Sequence, residues 1–295
     1  LLPVPVQGRE QGEPPSPSTM PHSFGCTPFT VPPELTQDGR FYVARVQDYP
    51  GVGKFDAFPT LYYLARPGAY RYVQAATAGI ASGVITAMNE HGLVVILHTG
   101  MTLDASAEKS PGLATTQLMV EGARSIEEAK ALCDANTPAA GWIINLADVV
   151  TGSPRSAWLE VAPGANTCHL TFAEGVMISN NHYKVAANLA REIHVGPSWD
   201  QNSPDRGARA RQAIEEKLGA DHSRKLSLPD VAAIMADRMD LTLGRPHAIA
   251  PGAVASIEQI KAVVFSPLTR EVFISDGRAP PAARGRFIRV HFDDF

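Results

Sequence analysis

Cys26 stands in the stretch Phe24-Gly25-Cys26-Thr27, where a proline-rich segment gives way to periodic sequence. If the Gly25–Cys26 bond were cut, one residue would carry both a thiol and a free α-amine. Their unperturbed pKa values, ~8.5 and ~7.7–8.0, lie close enough for proton exchange near neutral pH. Nucleophile and base would then sit in a single residue, in place of the Cys–His pair of other thiol enzymes. Read from Gly-Cys-Thr alone, the plainer alternative is a small apolar residue tucked under a strand. The only other cysteines are Cys133 and Cys168, too few for a disulfide-stapled scaffold, and an odd count leaves at least one without an intrachain partner. Cys133 and Cys168 could pair in an exported protein, although spacing alone does not establish that they are near each other.

Other motif chemistry is poorly represented. Gly51-Val52-Gly53 lacks the third glycine and the following helix of a dinucleotide site. There is no P-loop, no paired-histidine zinc motif and no Cys-x-x-Cys, so neither cofactor nor metal is expected. The nine histidines are scattered singly. A papain-type thiol hydrolase would pair Cys26 with His98 or His182, but the local signature of that class is missing around Cys26. Lys and Arg number 26 against 30 Asp and Glu, which offers no basic excess for nucleic acid. The best apolar run, Gly92 to Leu97, is far short of the ~20 residues of a membrane helix. Hydrophobic residues at 44% are sufficient for a large core.

The elements that must position Cys26 are mostly hairpins. Nine of the 24 prolines fall in the first 33 residues, which show neither helical nor strand period. The chain opens Leu-Leu-Pro-Val with no basic segment before it, so a signal peptide is neither indicated nor excluded, and localisation stays undetermined. Beyond that leader, Phe41–Val46 reads as a strand. Hairpins are expected for Leu61–Arg66 with Tyr70–Ala75, Gly83–Met88 with Leu93–Leu97, and Trp142–Val149 with Ser156–Val161. The same holds for Thr167–Phe172 with Val176–Ser179 and Ile260–Phe265 with Glu271–Ser275, and Phe287–Phe292 makes a last strand. Helices are expected over Thr115–Ala123, after the Ser125–Glu128 capping box, from an N-cap at Ser203 with Pro204 at the first helical position to Gly219, and from Ser227. Tight hairpins force antiparallel neighbours, so the fold class is α+β with antiparallel layers and not a parallel doubly wound sheet.

A set of short stretches, in order, resembles the penicillin acyltransferase branch of the N-terminal-nucleophile (Ntn) hydrolases, relatives of choloylglycine hydrolases and acid ceramidase-like amidases. They are Arg45-Val46-Gln47-Asp48-Tyr49-Pro50, Gly79–Val84 with Met88–Leu93, Ala147-Asp148 with Leu159-Glu160, Ser179-Asn180-Asn181-His182-Tyr183, and Phe273–Gly277. The resemblance implies a four-layer αββα sandwich of two antiparallel sheets, with residues 1–25 as leader and 26–295 as one catalytic domain. It implies Cys26 as a nucleophile exposed by self-cleavage, with Arg45 and Asp48 at its side and Asp48 orienting the new α-ammonium. Outside the resemblance, Arg45 and Asp48 read as a strand-end ion pair. Asn181 is implied as an oxyanion donor, a role that elsewhere contributes ~3–4 kcal/mol to the barrier; Asn180 is its neighbouring rival, and turn chemistry the alternative for both. Arg206, in Ser203-Pro204-Asp205-Arg206, is implied as a site arginine, against an ordinary helix-surface charge such as Arg209 or Arg211.

One departure bears on substrate. Where choloylglycine hydrolases usually end a strand with asparagine, this chain has His98, which argues against bile-salt hydrolysis. The implied substrate is a small N-acyl amide or acyl thioester. Association of the cleaved leader with the enzyme and formation of a homo-oligomer are compatible with the resemblance, as is a non-catalytic binding or scaffold descendant. Phe29, Tyr49, Phe55 and Phe58 are candidates either for an apolar acyl pocket or for core.

Overall fold

The computed structural model describes residues 25–49, 52–79, 83–150, 152–165, 167–194, 197–241, 243–246, 252–277 and 281–295. The expected leader, but for Gly25, lies outside them. From the N-terminus come β1 (Gly25–Val31), β2 (Tyr42–Asp48), β3 (Pro59–Leu64), β4 (Tyr72–Thr77), β5 (Thr86–Asn89) and β6 (Val94–Thr99). Next are α1 (Gly112–Gly122), α2 (Ile126–Ala135), β7 (Trp142–Asp148), β8 (Arg155–Ala162) and β9 (Thr167–Phe172). The remainder is α3 (Ala186–Leu189), α4 (Pro197–Leu218), α5 (Leu228–Met235), the short pair β10 (Met239–Asp240) and β11 (Arg245–Pro246), then β12 (Gln259–Ser266), β13 (Glu271–Ser275) and β14 (Phe287–His291).

Two antiparallel sheets result, one of order β1-β2-β12-β13-β14 and one running in chain order from β3 to β9. Strand alternation builds the layers. On β6, Val94 and Ile96 join Val43, Val263 and Phe265 in a core between the sheets, while Val95 and Leu97 face Met119, Val120, Ile126 and Ala129 of α1 and α2. On the far side, Phe29, Ala44, Val46 and Val264 pack against Ala210 and Ile214 of α4 and Val231 and Ile234 of α5. The molecule is a four-layer αββα sandwich, as the resemblance implied.

Three local expectations are corrected, and each correction concerns the site. The proline-rich region ends sooner than composition suggests, because residues 25–31 form β1, buried along its whole length. Pro28 is tolerated there because β1 is the edge strand of its sheet apart from a single bridge. That bridge explains the second correction. Val176–Ser179 does not fold back on β9; it crosses to β1, with the N–H of Thr30 donating to Met177 O and the N–H of Ser179 donating to Pro28 O. Third, Ser203 is not a helix N-cap. Helix α4 begins at Pro197 and carries Pro204 in its interior. The Ser203 hydroxyl instead accepts from the N–H of Asn181 at 2.7 Å and meets His182 Nδ1 at 2.9 Å. The other helix signals match: Ser125 caps α2, Ser227 and Asp230 form a reciprocal capping box on α5, and Gly219 follows α4 with φ +80°.

Candidate active site

Cys26 is gripped at its amide, its carbonyl and its sulfur. Its N–H donates to Asn181 Oδ1 at 2.9 Å, and its carbonyl accepts from Arg206 Nη1 at 2.8 Å. Arg45 Nη2 lies 3.2 Å from the sulfur. Arg45 is itself held by the carbonyls of Ile85 and Leu97, both at 3.1 Å, one before β5 and the other on β6. The arginine thereby ties the nucleophile candidate to the opposite sheet.

Arg45 and Asp48 do not pair with each other. Residues three apart on a strand point to opposite faces. Arg45 enters the space between the sheets, whereas Asp48 lies on the helical side, directly across from Gly25. The approach there is close: a Cβ on Gly25 would come within 2.8 Å of Asp48 Oδ2 and 3.2 Å of Arg206 Cζ. Any side chain at this position would have to displace this buried carboxylate and crowd this guanidinium. Burial pushes the Asp48 carboxyl up to about 7; Arg206 opposes that shift, nearby Glu258 adds to it, and a hydrogen bond from Ser256 opposes it. Asp48 Oδ1 has no hydrogen-bond partner among the described residues.

Arg206 is buried and is not a surface charge. It donates from Nε to Asn202 Oδ1 at 2.8 Å, from Nη1 to Thr27 Oγ1 at 2.8 Å and from Nη2 to Asn181 Oδ1 at 2.9 Å. Burial lowers its pKa, with Asp48 and then Cys26 acting against that. Its neighbours differ: Arg209 pairs with Asp237 and Glu216, and Arg211 is exposed. The bare Gly207 lets α4 close onto Asn180, whose Nδ2 meets Thr27 Oγ1 at 3.3 Å.

Asn181 therefore hydrogen-bonds Cys26, whereas the Asn180 side chain donates to Thr27. Two donors converge on Asn181 Oδ1, which assigns the amide orientation, and Nδ2 donates to Thr99 O at 3.0 Å. An amide nitrogen carries two hydrogens, so the second is not used by that bond. The histidines serve other ends. His98 Nε2 lies 2.7 Å from Asn145 Nδ2 and 3.3 Å from Ser179 Oγ, and burial, aided by Arg45, holds the ring well below its usual pKa. His182 sits on Ser203, lowered to about 4 chiefly by burial. Among the described residues neither histidine hydrogen-bonds the Cys26 sulfur.

Two cavities flank this cluster. One of about 210 Å³ touches Asn181, Arg206, Asn202 and Ser203 and is bounded by Met101, Leu189 and Glu192; burial lifts Glu192 to about 7. The other, of about 200 Å³, is lined by Gln47, Tyr49, Phe55, Ile85, Ile260 and Lys261. Of the four aromatic candidates, Tyr49 and Phe55 reach a cavity, Phe29 is core, and Phe58 is 65% exposed. Thr27, Asn202 and Thr99 were not anticipated. Asn202 stands four residues before Arg206, a helical neighbour that becomes visible once α4 is known to begin at Pro197. Among the described residues, no helix is long and apolar enough to cross a membrane and no three His, Cys, Asp or Glu side chains cluster as metal ligands.

Comparison with known proteins places this arrangement. No curated protein sequence matches the chain. Over the whole fold it is similar to a conjugated bile acid hydrolase from Clostridium perfringens, with TM-score 0.59 and 12% identity over 92% of this chain and 93% of that one. It is also similar to the Caenorhabditis elegans ortholog of N-acylethanolamine-hydrolyzing acid amidase, with TM-score 0.54 and 14% identity over 82% of this chain and 93% of that one. Both are Ntn hydrolases, and at such low identity they speak for the fold alone. The family model for acyl-coenzyme A:6-aminopenicillanic acid acyl-transferase matches residues 35–228, a stretch that contains Arg45, Asp48, Asn181 and Arg206 and begins after Cys26. On this match and this fold, the chain belongs to the acyl-coenzyme A:6-aminopenicillanic acid acyl-transferase family of Ntn hydrolases.

Proposed function

We propose that this protein is a self-processing amidohydrolase or acyltransferase that works through an acyl-enzyme on Cys26. The observation that carries the reading is the grip on Cys26 by Arg45, Asn181 and Arg206, with Gly25 wedged against Asp48 and Arg206. Residues 1–25 are the leader in this reading and 26–295 the catalytic domain.

Processing begins when Cys26 Sγ attacks the Gly25 carbonyl carbon. The Gly25–Cys26 C–N bond breaks, its nitrogen takes the thiol proton, and a Gly25 thioester remains. Water hydrolyses that ester, releasing the leader and leaving Cys26 with a free α-amine. Asp48, whose Oδ1 has no donor among the described residues, then holds the new ammonium. Turnover repeats the chemistry on substrate. The amine accepts the thiol proton as sulfur attacks the amide or thioester carbonyl. The second hydrogen of Asn181 Nδ2 donates to the oxyanion. The tetrahedral intermediate collapses, the proton returns to the departing amine or thiol, and the acyl group stays on sulfur until water or an amine accepts it. Arg206 keeps Asn181 and the Cys26 carbonyl in register.

Intact-mass analysis of freshly made protein beside Cys26→Ala tests this directly. Wild type should lose everything before Cys26 while the variant stays whole. An uncut wild type, or equal cutting of both, overturns the reading.

A further inference from the structure

Three residues on neighbouring strands stand in one row between the sheets. Cys26 on β1 is opposite Gln47 on β2, and Gln47 is opposite Lys261 on β12. The register slips between Gln259 and Lys261, so that Lys261, and not Ile260, takes this place. Bulges re-aim side chains in this way beside functional sites. Lys261 consequently shares the face of Val263 and Phe265. At ~4.8 Å per strand, its backbone is roughly 10 Å from that of Cys26.

Lys261 lines the 200 Å³ cavity, whose apolar walls are Tyr49, Phe55, Ile85 and Ile260. Its ammonium donates to the neutral Thr77 Oγ1 at 2.6 Å and forms no ion pair with a carboxylate among the described residues. Burial, reinforced by the Arg45 guanidinium, pushes it down to about 8. Arg45 pairs with no carboxylate among the described residues either; its bonds go to two carbonyls and the Cys26 sulfur. Lys261 thus faces the cavity with buried Arg45 close behind it, and no carboxylate among the described residues pairs with either cation. A buried charge without its partner is costly, and a ligand that brings the opposite charge relieves that cost.

Resting on the reading of Cys26 as the acyl acceptor, we propose that this cavity is the acyl subsite and that Lys261 selects acyl groups ending in a carboxylate. The apolar walls hold the methylene chain, and the ammonium, one row beyond Gln47, receives the distal carboxylate. A short dicarboxylic half-amide fits this spacing better than a plain fatty amide.

The test compares the adipoyl and hexanoyl amides of p-nitroaniline, equal in carbon count and differing in the terminal carboxylate. Wild type should favour the adipoyl amide in kcat/KM by about tenfold or more, the scale of one charge-assisted hydrogen bond. Lys261→Met should lose that preference while still cleaving the hexanoyl amide, and Lys261→Arg, which retains the charge, should keep it. A wild-type preference for hexanoyl, or an unchanged adipoyl preference in Lys261→Met, overturns the proposal. If wild type cleaves neither amide, the hydrolase reading fails on its own account. Calorimetric titration of adipate into wild type and Lys261→Met then decides the subsite. Binding that depends on Lys261 sustains it, and equal or absent binding in both overturns it.

Discussion

At the scale of single residues, Asp48 has the most informative environment. It is a nearly dry carboxyl pushed up to about 7 mainly by burial, across the ladder from the bond proposed to break. The sign of its effect on stability follows. In the unfolded chain it titrates near 3.8, so between that value and about 7 the folded protein holds a proton that the unfolded chain has released. Its stabilising contribution is therefore present at low pH and is lost as pH rises toward 7. In an uncut Cys26→Ala background, stability measured by urea denaturation should fall across this window, and adding Asp48→Asn should flatten the slope. An identical slope in both proteins would place the effect elsewhere. The pairing of Arg45 with Asp48 by sequence spacing is also explained at this scale. The two residues stand on opposite faces of β2, the arginine at the Cys26 sulfur and the aspartate across the ladder from Gly25.

Among the elements, α2 and the edge strand β9 are joined by a contact that spacing alone could not reveal. Cys133 on α2 and Cys168 on β9 are buried free thiols with their sulfurs 2.8 Å apart. The hydrogen bond to Cys168, with burial, drives the Cys133 thiol well above its usual pKa, so reaction requires local opening and will be slow. Treatment with oxidised glutathione should convert the pair to an intrachain disulfide, releasing two equivalents of glutathione. Closing this 35-residue loop should raise stability by roughly 2–4 kcal/mol. Non-reducing peptide mapping and thermal melts check both parts; a Cys133–Cys168 peptide that never forms refutes the contact. Hairpins such as β7–β8 and β12–β13 were legible because a turn and two alternating runs lie together in the chain. The 176–179 segment was not, since its partner, β1, lies about 150 residues away and its own alternation suits either sheet equally.

For the whole molecule, the core between the sheets holds the site together. Arg45 spans it to reach Ile85 and Leu97, and Thr30 on β1 meets Ser156 on β8 across it at 3.2 Å. Phe265, fully buried, sits in that core with Met88 and Ile96 of the other sheet. Phe265→Ala should cost about 3–5 kcal/mol in urea denaturation and lower activity along with stability, because the layers that carry Arg45 and its carbonyl partners would loosen together. A loss under about 1 kcal/mol would mean that the sheets do not depend on this shared core.

Sequence by itself determined the antiparallel layered class, most of the hairpins and caps, and a short set of candidates: Cys26, Arg45, Asp48, Asn181 and Arg206. Those features are local or ordered along the chain, and strand period, capping chemistry and motif order report them directly. Tertiary structure decided what the candidates touch. It separated Arg45 from Asp48 across a sheet, chose Asn181 over Asn180, gave His98 to Asn145, added Asn202 and Thr27, and used one bulge to swing Lys261 into the row of Cys26. These are contacts between segments far apart in sequence. They follow from how two sheets and α4 pack, and neither composition nor spacing encodes that packing in readable form.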